Sequence, residues 1–241
     1  MTGSPFPASI EGKLIVSCQA PPGDPLDHID TLRRIAAAVL RGGAGGLRAN
    51  GSECIAVLRH ECALPILGIQ KRKISGEVSI TPDFASAQLI AEAGADVIAL
   101  DCSTARHAQA EPWPQLIARV HVELGRPVLA DIATFDESLA AEAAGADAVA
   151  TTLYGFTPET AGARAVNWEM VERLAKTLRI PLIVEGHISQ PEEVRRALDL
   201  GAFAVVVGSA ITRPESITAR FVEAIQRRQP PVLQSCRLPK V

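Results

Sequence analysis

The sequence predicts a (β/α)8 TIM barrel, and three observations carry that expectation. Short apolar runs alternate with helical segments from Lys13 to Arg228, eight of each. Almost every apolar run begins after Pro, Gly or Ala and ends on a polar or charged residue or a glycine. The chain is 241 residues long, close to the roughly 250 residues of a single such barrel. Strict βα alternation at this length favours a closed parallel barrel over a doubly wound sheet.

The elements follow in order. KLIVSCQA (Lys13–Ala20) is a short apolar run bounded by turn residues and reads as the first strand. Leu26–Leu40 places Ile29, Leu32, Ile35 and Val39 on one helical face, and Gly42-Gly43 stops it. Gly45–Gly51 is the second strand, followed by a helix over Ser52–His60. Pro65–Gln70 is the third strand and delivers Lys71. The next connection, KRKISGEVSITPD, is long for a βα loop and is expected to lie over the barrel mouth. A helix from Thr81-Pro82-Asp83 through Ala93 leads to the fourth strand, Ala95–Asp101. A helix over Pro112–Leu124 precedes the fifth strand, Arg126–Ile132, and Thr134 caps a helix running to Ala144. The sixth strand is Ala146–Thr152, then a loop, then a helix over Asn167–Leu178. Strands seven and eight are PLIVEG and AVVVGS, and the last helix spans Pro214–Arg228. Gly94, Gly145 and Gly201 recur as C-caps between helix and strand, an echo that αβ loop chemistry explains. No composition shift marks a second domain, so residues 1–228 are expected to form one barrel and 229–241 a proline-bearing tail.

Composition narrows the function. Hydrophobic residues make up 47% of the chain but aromatics only 4%, which suits small-residue packing of helices on strands buried on both faces. A net charge of −3 without a basic block argues against a nucleic-acid surface and a polybasic membrane patch. The N-terminus lacks a charged n-region and a long apolar run, so a cytoplasmic location is expected. Cys18, Cys54, Cys62, Cys102 and Cys236 form no CxxC pair, and the five histidines form no HxH or HxxxH pattern. Reduced thiols and no metal centre are the expectation.

The strand ends carry the chemistry. They bear Gln19, Arg48, Lys71, Asp101, Asp131, Thr151–Thr152, Glu185 and Gly208–Ser209. In a barrel these ends converge on one mouth. The stretch Ile180–Arg213 sets a carboxylate, Glu185, beside a glycine-serine turn, and the phosphate site of such barrels typically follows strands seven and eight.

GGLRANG, PILGIQKR, ITPDF, DVIALDCSTAR, LADIAT, TTLYGFT, PLIVEG and VVVGSAITRP occur in this order between about Lys13 and Ile225. In these motifs the chain resembles the N-acylglucosamine-6-phosphate 2-epimerase (N-acetylmannosamine-6-phosphate 2-epimerase) family. The resemblance implies a barrel of the ribulose-phosphate-binding type, needing no cofactor. It further implies inversion of C2 between N-acetylmannosamine 6-phosphate and N-acetylglucosamine 6-phosphate in amino-sugar and sialic-acid breakdown. By the same resemblance Lys71 is the catalytic lysine, Glu185 its partner carboxylate and Asp131 the active-site aspartate, expected to orient Lys71 or a sugar hydroxyl. Arg48 is expected to lower the lysine pKa and polarise the substrate oxygen. Gln19 is expected on the sugar or acetamido group. Gly186, Gly208 and Ser209 would present N–H groups to the phosphate, with Arg213 supplying charge.

The family also implies a homodimer formed through C-terminal helices. His187, Ser209 and the bulky Tyr154 and Phe156 depart from the family pattern, while the Lys71–Glu185 pair is intact. Two other readings fit parts of the sequence. One is another phosphosugar epimerase or isomerase of the phosphate-binding barrel group; the other is an amino-sugar phosphate sensor without turnover. Arg48 could pair with Asp101, Asp131 could cap the next helix or turn, and Arg213 could be salt-bridged at a helix start.

Overall fold

A computed structural model describes residues 5–226. The tail 229–241 and Cys236 lie outside the described residues.

Eight parallel strands close into a barrel: β1 (Leu14–Cys18), β2 (Gly46–Asn50), β3 (Ile66–Ile69), β6 (Val97–Asp101), β7 (Val128–Asp131), β8 (Ala148–Ala150), β9 (Leu182–Glu185) and β10 (Ala204–Val207). They neighbour one another in that sequence, and β10 pairs with β1 to complete the ring. The remaining strands, β4 (Lys71–Ile74) and β5 (Glu77–Ile80), form an antiparallel hairpin of their own. This corrects the expectation of a plain loop after the third strand. Lys71, expected just beyond the third strand, is the first residue of that hairpin. Exposed Lys71, Arg72 and Lys73 leave β4 without an apolar alternation to read, and positive φ at Ser75 and Gly76 makes the tight turn.

The helices are α1 (Ile29–Arg41), α2 (Ser52–Glu61), α3 (Phe84–Glu92), α4 (Trp113–Arg119), α5 (Phe135–Ala143), α6 (Trp168–Thr177), α7 (Pro191–Asp199), α8 (Ser209–Thr212) and α9 (Pro214–Gln226). α1 starts later than its apolar spacing suggested, because the His28 imidazole caps it by accepting from the Asp30 N–H. α4 runs on into a π-helical turn, Val120–Leu124. Thr134 caps α5 as expected, in a reciprocal capping box with Glu137. None of the described helices is long and apolar enough to cross a membrane.

Strand alternation divides the core. Ile15, Leu67, Val97, Ala99, Leu129, Ala148, Ile183 and Val206 share one cluster that fills the barrel. Their neighbours, such as Val16, Leu47, Ile98, Val149 and Val205, pack under the helices. Ile10 and Phe6 join the inner cluster from the N-terminal segment, with Phe6 edge-on to Phe203. Followed two residues at a time, the inward series continues to Asp101, Asp131, Thr152 and Glu185 at the strand ends. The same parity that fills the barrel thus aims these polar groups at its mouth.

Gly68 shows how closely β3 is packed. A Cβ there would lie 2.6 Å from the Ala95 Cβ and 3.1 Å from Ile55 Cδ1. Gly68→Ala is expected to cost about 1–3 kcal/mol through overpacking, read as a lowered denaturation midpoint with an unchanged m-value.

Candidate active site

The mouth is an open cavity of about 1100 Å³, lined among others by Gln19, Lys71, Asp101, Glu185, Gly208 and Arg213. Around the ring, β3 and β9 are separated by three strands in either direction: β6, β7 and β8 one way, β2, β1 and β10 the other. Lys71, just beyond β3, and Glu185, ending β9, therefore lie on opposite sides of the mouth.

Arg48, on β2, is the organising cation, and it is 1% exposed. Its Nη1 donates to Asp131 Oδ1 at 3.0 Å and to Glu185 Oε2 at 2.5 Å, while Nη2 donates to Asp131 Oδ2 at 2.5 Å. The Thr152 hydroxyl lies 2.6 Å from Asp131 Oδ1 and 3.2 Å from Glu185 Oε2. The result is a buried ion triad that crosses the barrel and holds the Glu185 side chain from below. Arg48 and Asp131 do not line the cavity; they form the layer beneath it. Arg48 accordingly pairs with Asp131 and Glu185, not with Asp101, and Asp131 makes no hydrogen bond to Lys71. Of the two partners expected for Asp131, Lys71 or a sugar hydroxyl, it makes no bond to the lysine, and both its carboxylate oxygens accept from Arg48.

Lys71 has no hydrogen-bond or ion-pair partner for its ammonium among the described residues. It reaches solvent in the open mouth, yet the protein around it partly desolvates it. That desolvation holds its pKa below the ordinary lysine value; the Arg48 charge pushes the same way, and Glu185 and Asp131 oppose it. Burial raises the Glu185 pKa against the attraction of Arg48, with Asp131 adding to the rise. Burial works against the charge on Arg48, but the two carboxylates outweigh it and keep the guanidinium protonated. A lysine shifted down faces a carboxylate shifted up, which brings both toward neutral pH, where proton transfer is efficient.

The base of the Lys71 hairpin is anchored on both sides. The Lys71 N–H donates to Asn50 Oδ1 at 2.8 Å, and the Gln70 N–H donates to the Thr81 hydroxyl at 3.1 Å. Thr81 N–H returns a bond to the Gln70 carbonyl at 2.8 Å.

On the β9–β10 side the loops form a cradle, in which Gly186, Gly208 and Ser209 line the cavity. Gly186 has φ 98°, a left-handed conformation that glycine adopts without strain. Gly208 precedes the one-turn α8, whose first amides, on Ser209 and Ala210, have no intrahelical acceptor. Gly208 passes close to Ser17: an added Cβ would sit 3.3 Å from the Ser17 Cβ. Arg213 lines the cavity but also donates to the largely buried Asp24 at 2.7 Å, so it is indeed salt-bridged at the start of α9. Gln19 donates to the Ser17 hydroxyl at 2.9 Å, leaving its buried Oε1 unpartnered.

Comparison with known proteins fits this geometry. The family model described as "Putative N-acetylmannosamine-6-phosphate epimerase" matches residues 32–227. A Clostridium perfringens relative named "Putative N-acetylmannosamine-6-phosphate 2-epimerase" is 41% identical over 218 residues, covering 90% of this chain and 98% of that protein. A Cutibacterium acnes relative of the same name is 42% identical, covering 91% of this chain and 96% of its own. The chain belongs to the N-acetylmannosamine-6-phosphate epimerase family. Among solved structures, the N-acetylmannosamine-6-phosphate 2-epimerase from Clostridium perfringens superimposes with a TM-score of 0.86 at 40% identity, covering 90% of this chain and 94% of that one. The thiamine phosphate pyrophosphorylase from Pyrococcus furiosus, at 18% identity and a TM-score of 0.58, shares the fold alone.

Within this N-acetylmannosamine-6-phosphate epimerase family member, the structure adds residues that sequence reasoning missed. Thr152 was visible only as a strand-end polar residue; its contacts to both carboxylates come from strands adjacent in the ring but not in the chain. Asn50 ends β2 in the GGLRANG motif, yet its bond to the Lys71 backbone needs the β2–β3 register. His187, at φ 59°, turns from the cradle toward the β8–α6 loop. Its Nε2 lies 2.9 Å from the Tyr154 carbonyl, and its ring stacks on Phe156 at 5.4 Å. Among the described residues no cluster of His, Cys, Asp or Glu has the makings of a metal site.

Proposed function

We propose that the protein inverts C2 of N-acetylmannosamine 6-phosphate to give N-acetylglucosamine 6-phosphate. The observation that carries this reading is the opposition of Lys71 and Glu185 across one mouth, beside a glycine-lined cradle. In the open-chain sugar C2 lies next to the C1 aldehyde, so its proton is acidic and its loss gives an enolate. Epimerisation needs one group to take that proton and another to return a proton to the opposite face. Lys71 in its neutral form and Glu185 in its protonated form fill these roles in one direction and exchange them in the other. Arg48 lies under Glu185 and Asp131 under Arg48, so this pair tunes and orients the proton-transfer groups from below the cavity. Gln19 binds the sugar or its acetamido group, and Gly186, Gly208 and Ser209 bind the phosphate through backbone N–H groups. Arg213, already paired with Asp24, supplies a shared positive charge there.

The closed barrel formed by the described residues supports reading residues 1–228 as one catalytic domain. Phe221, Val222 and Ile225 are exposed on α9, which supports a homodimer formed through C-terminal helices. We place the enzyme in the cytoplasm, in keeping with a phosphorylated substrate.

The test is a proton NMR time course with N-acetylmannosamine 6-phosphate in D₂O. The expected result is the appearance of N-acetylglucosamine 6-phosphate carrying deuterium at C2. Product without deuterium at C2 would contradict exchange of these groups with solvent. Tight binding without interconversion would favour a sensor instead. In the same assay Glu185→Gln is expected to lower turnover roughly 10²- to 10⁴-fold, since the amide cannot move the proton.

A further inference from the structure

Proton removal at C2 presupposes an open chain, whereas an aldohexose phosphate is held chiefly as a cyclic hemiacetal. Something must govern the opening of that ring, and neither Lys71 nor Glu185 is free to do so while each faces C2. The mouth contains one more fixed carboxylate. Asp101 ends β6 and lines the cavity. Its Oδ1 accepts from the Ser103 N–H at 2.9 Å and from the Ser103 hydroxyl at 2.7 Å, while Oδ2 has no protein partner among the described residues. The strand end is braced as well, since Arg106 donates to the Asp101 carbonyl at 2.6 Å.

The ring order places Asp101 relative to the substrate. β6 has three strands between it and β10 in either direction: β7, β8 and β9 one way, β3, β2 and β1 the other. Asp101 is thus across the mouth from the Gly208–Ser209 cradle. A hexose held by its 6-phosphate at that cradle, with C2 between Lys71 and Glu185, extends C1 toward β6. The other carboxylates are otherwise committed: both Asp131 oxygens hold Arg48, and Glu77 stands exposed on the hairpin. Burial raises the Asp101 pKa, with the Ser103 bonds and Arg106 opposing, so that protonated and ionised forms lie closer together in free energy than for an exposed aspartate.

We propose that Asp101 is a further catalytic residue, opening the sugar ring at C1 before Lys71 and Glu185 act; this rests on the epimerase reading above. Its carboxylate takes the proton of the C1 hydroxyl, and the freed O1 electron pair forms the aldehyde. The C1–O5 bond breaks, O5 takes a proton from solvent, and Asp101 gives its proton back to solvent. The step is redox-neutral and conserves protons.

The experiment measures α–β anomer exchange at C1 of N-acetylmannosamine 6-phosphate by NMR exchange spectroscopy, with wild type, Lys71→Ala and the double variant Lys71→Ala/Asp101→Asn. Lys71→Ala, with epimerisation slowed roughly 10²- to 10⁴-fold, is expected to accelerate anomer exchange at least tenfold over buffer. Adding Asp101→Asn, isosteric and still able to accept from Ser103, is expected to return exchange to within about twofold of buffer. Asp101→Asn alone should epimerise at a rate that stops rising with enzyme concentration, because spontaneous opening limits it. Anomer exchange at the buffer rate with Lys71→Ala, or equal exchange in the single and double variants, would overturn the proposal, and so would full turnover by Asp101→Asn. Failure of the epimerase reading would appear separately, as a wild-type protein that forms no N-acetylglucosamine 6-phosphate.

Discussion

Lys71→Ala is expected to lower kcat by roughly 10²- to 10⁴-fold, the usual contribution of one positioned acid–base group. Because Lys71 has no ion-pair partner among the described residues and stands on the hairpin outside the barrel core, the same change should leave thermal stability nearly untouched. That combination separates chemistry from folding. In the wild type the neutral amine is the working base, so kcat/KM should rise with pH through the Lys71 pKa. The depression of that pKa by desolvation and by Arg48 puts this limb below the ordinary lysine range. A stopped-assay pH profile reads it directly. Turnover within a factor of ten of wild type in Lys71→Ala would remove Lys71 from the mechanism.

Arg48→Met is expected to have the largest effect on stability. It leaves Asp131, which is wholly buried, and Glu185 as neighbouring carboxylates without their shared cation. Removing one partner from a buried ion pair typically costs about 3–5 kcal/mol, because a charge or an unsatisfied acid remains in the core. Arg48→Met/Asp131→Leu removes most of that uncompensated charge and should recover part of the loss, as measured by chemical denaturation. The loss of the nearby cation also favours the ammonium form of Lys71, so any residual activity should show its ascending pH limb moved upward. Arg48→Met with wild-type stability would mean that the triad does not hold the barrel top.

The fold was largely legible because each barrel strand is a short apolar run with a turn on either side. The inward parity of Ile183 and Glu185, or of Leu129 and Asp131, follows from period-2 alternation alone. The identities of Lys71, Glu185, Arg213 and Gln19 as cavity residues were readable from the strand ends and the family motifs. Two things were not. The β4–β5 hairpin carries too little burial to impose a pattern, since Lys71, Arg72, Lys73, Glu77 and Val78 are all exposed. The Arg48–Asp131–Glu185 triad joins β2, β7 and β9, and which carboxylate a buried arginine selects depends on ring order and side-chain reach, not on sequence spacing.

The hairpin has a consequence for how such an enzyme changes over generations. Apart from the Lys71 N–H bond to Asn50 at its base, its strands pair with each other and not with the barrel, and its tip at Ser75–Gly76 is exposed. Substitutions along its outer residues can therefore accumulate without loss of the ring that keeps the chain folded. The flap beside the reactive lysine becomes a low-risk region for exploring new acyl groups, and a natural place to randomise in a library aimed at altered substrate scope. The triad beneath the cavity offers no such freedom.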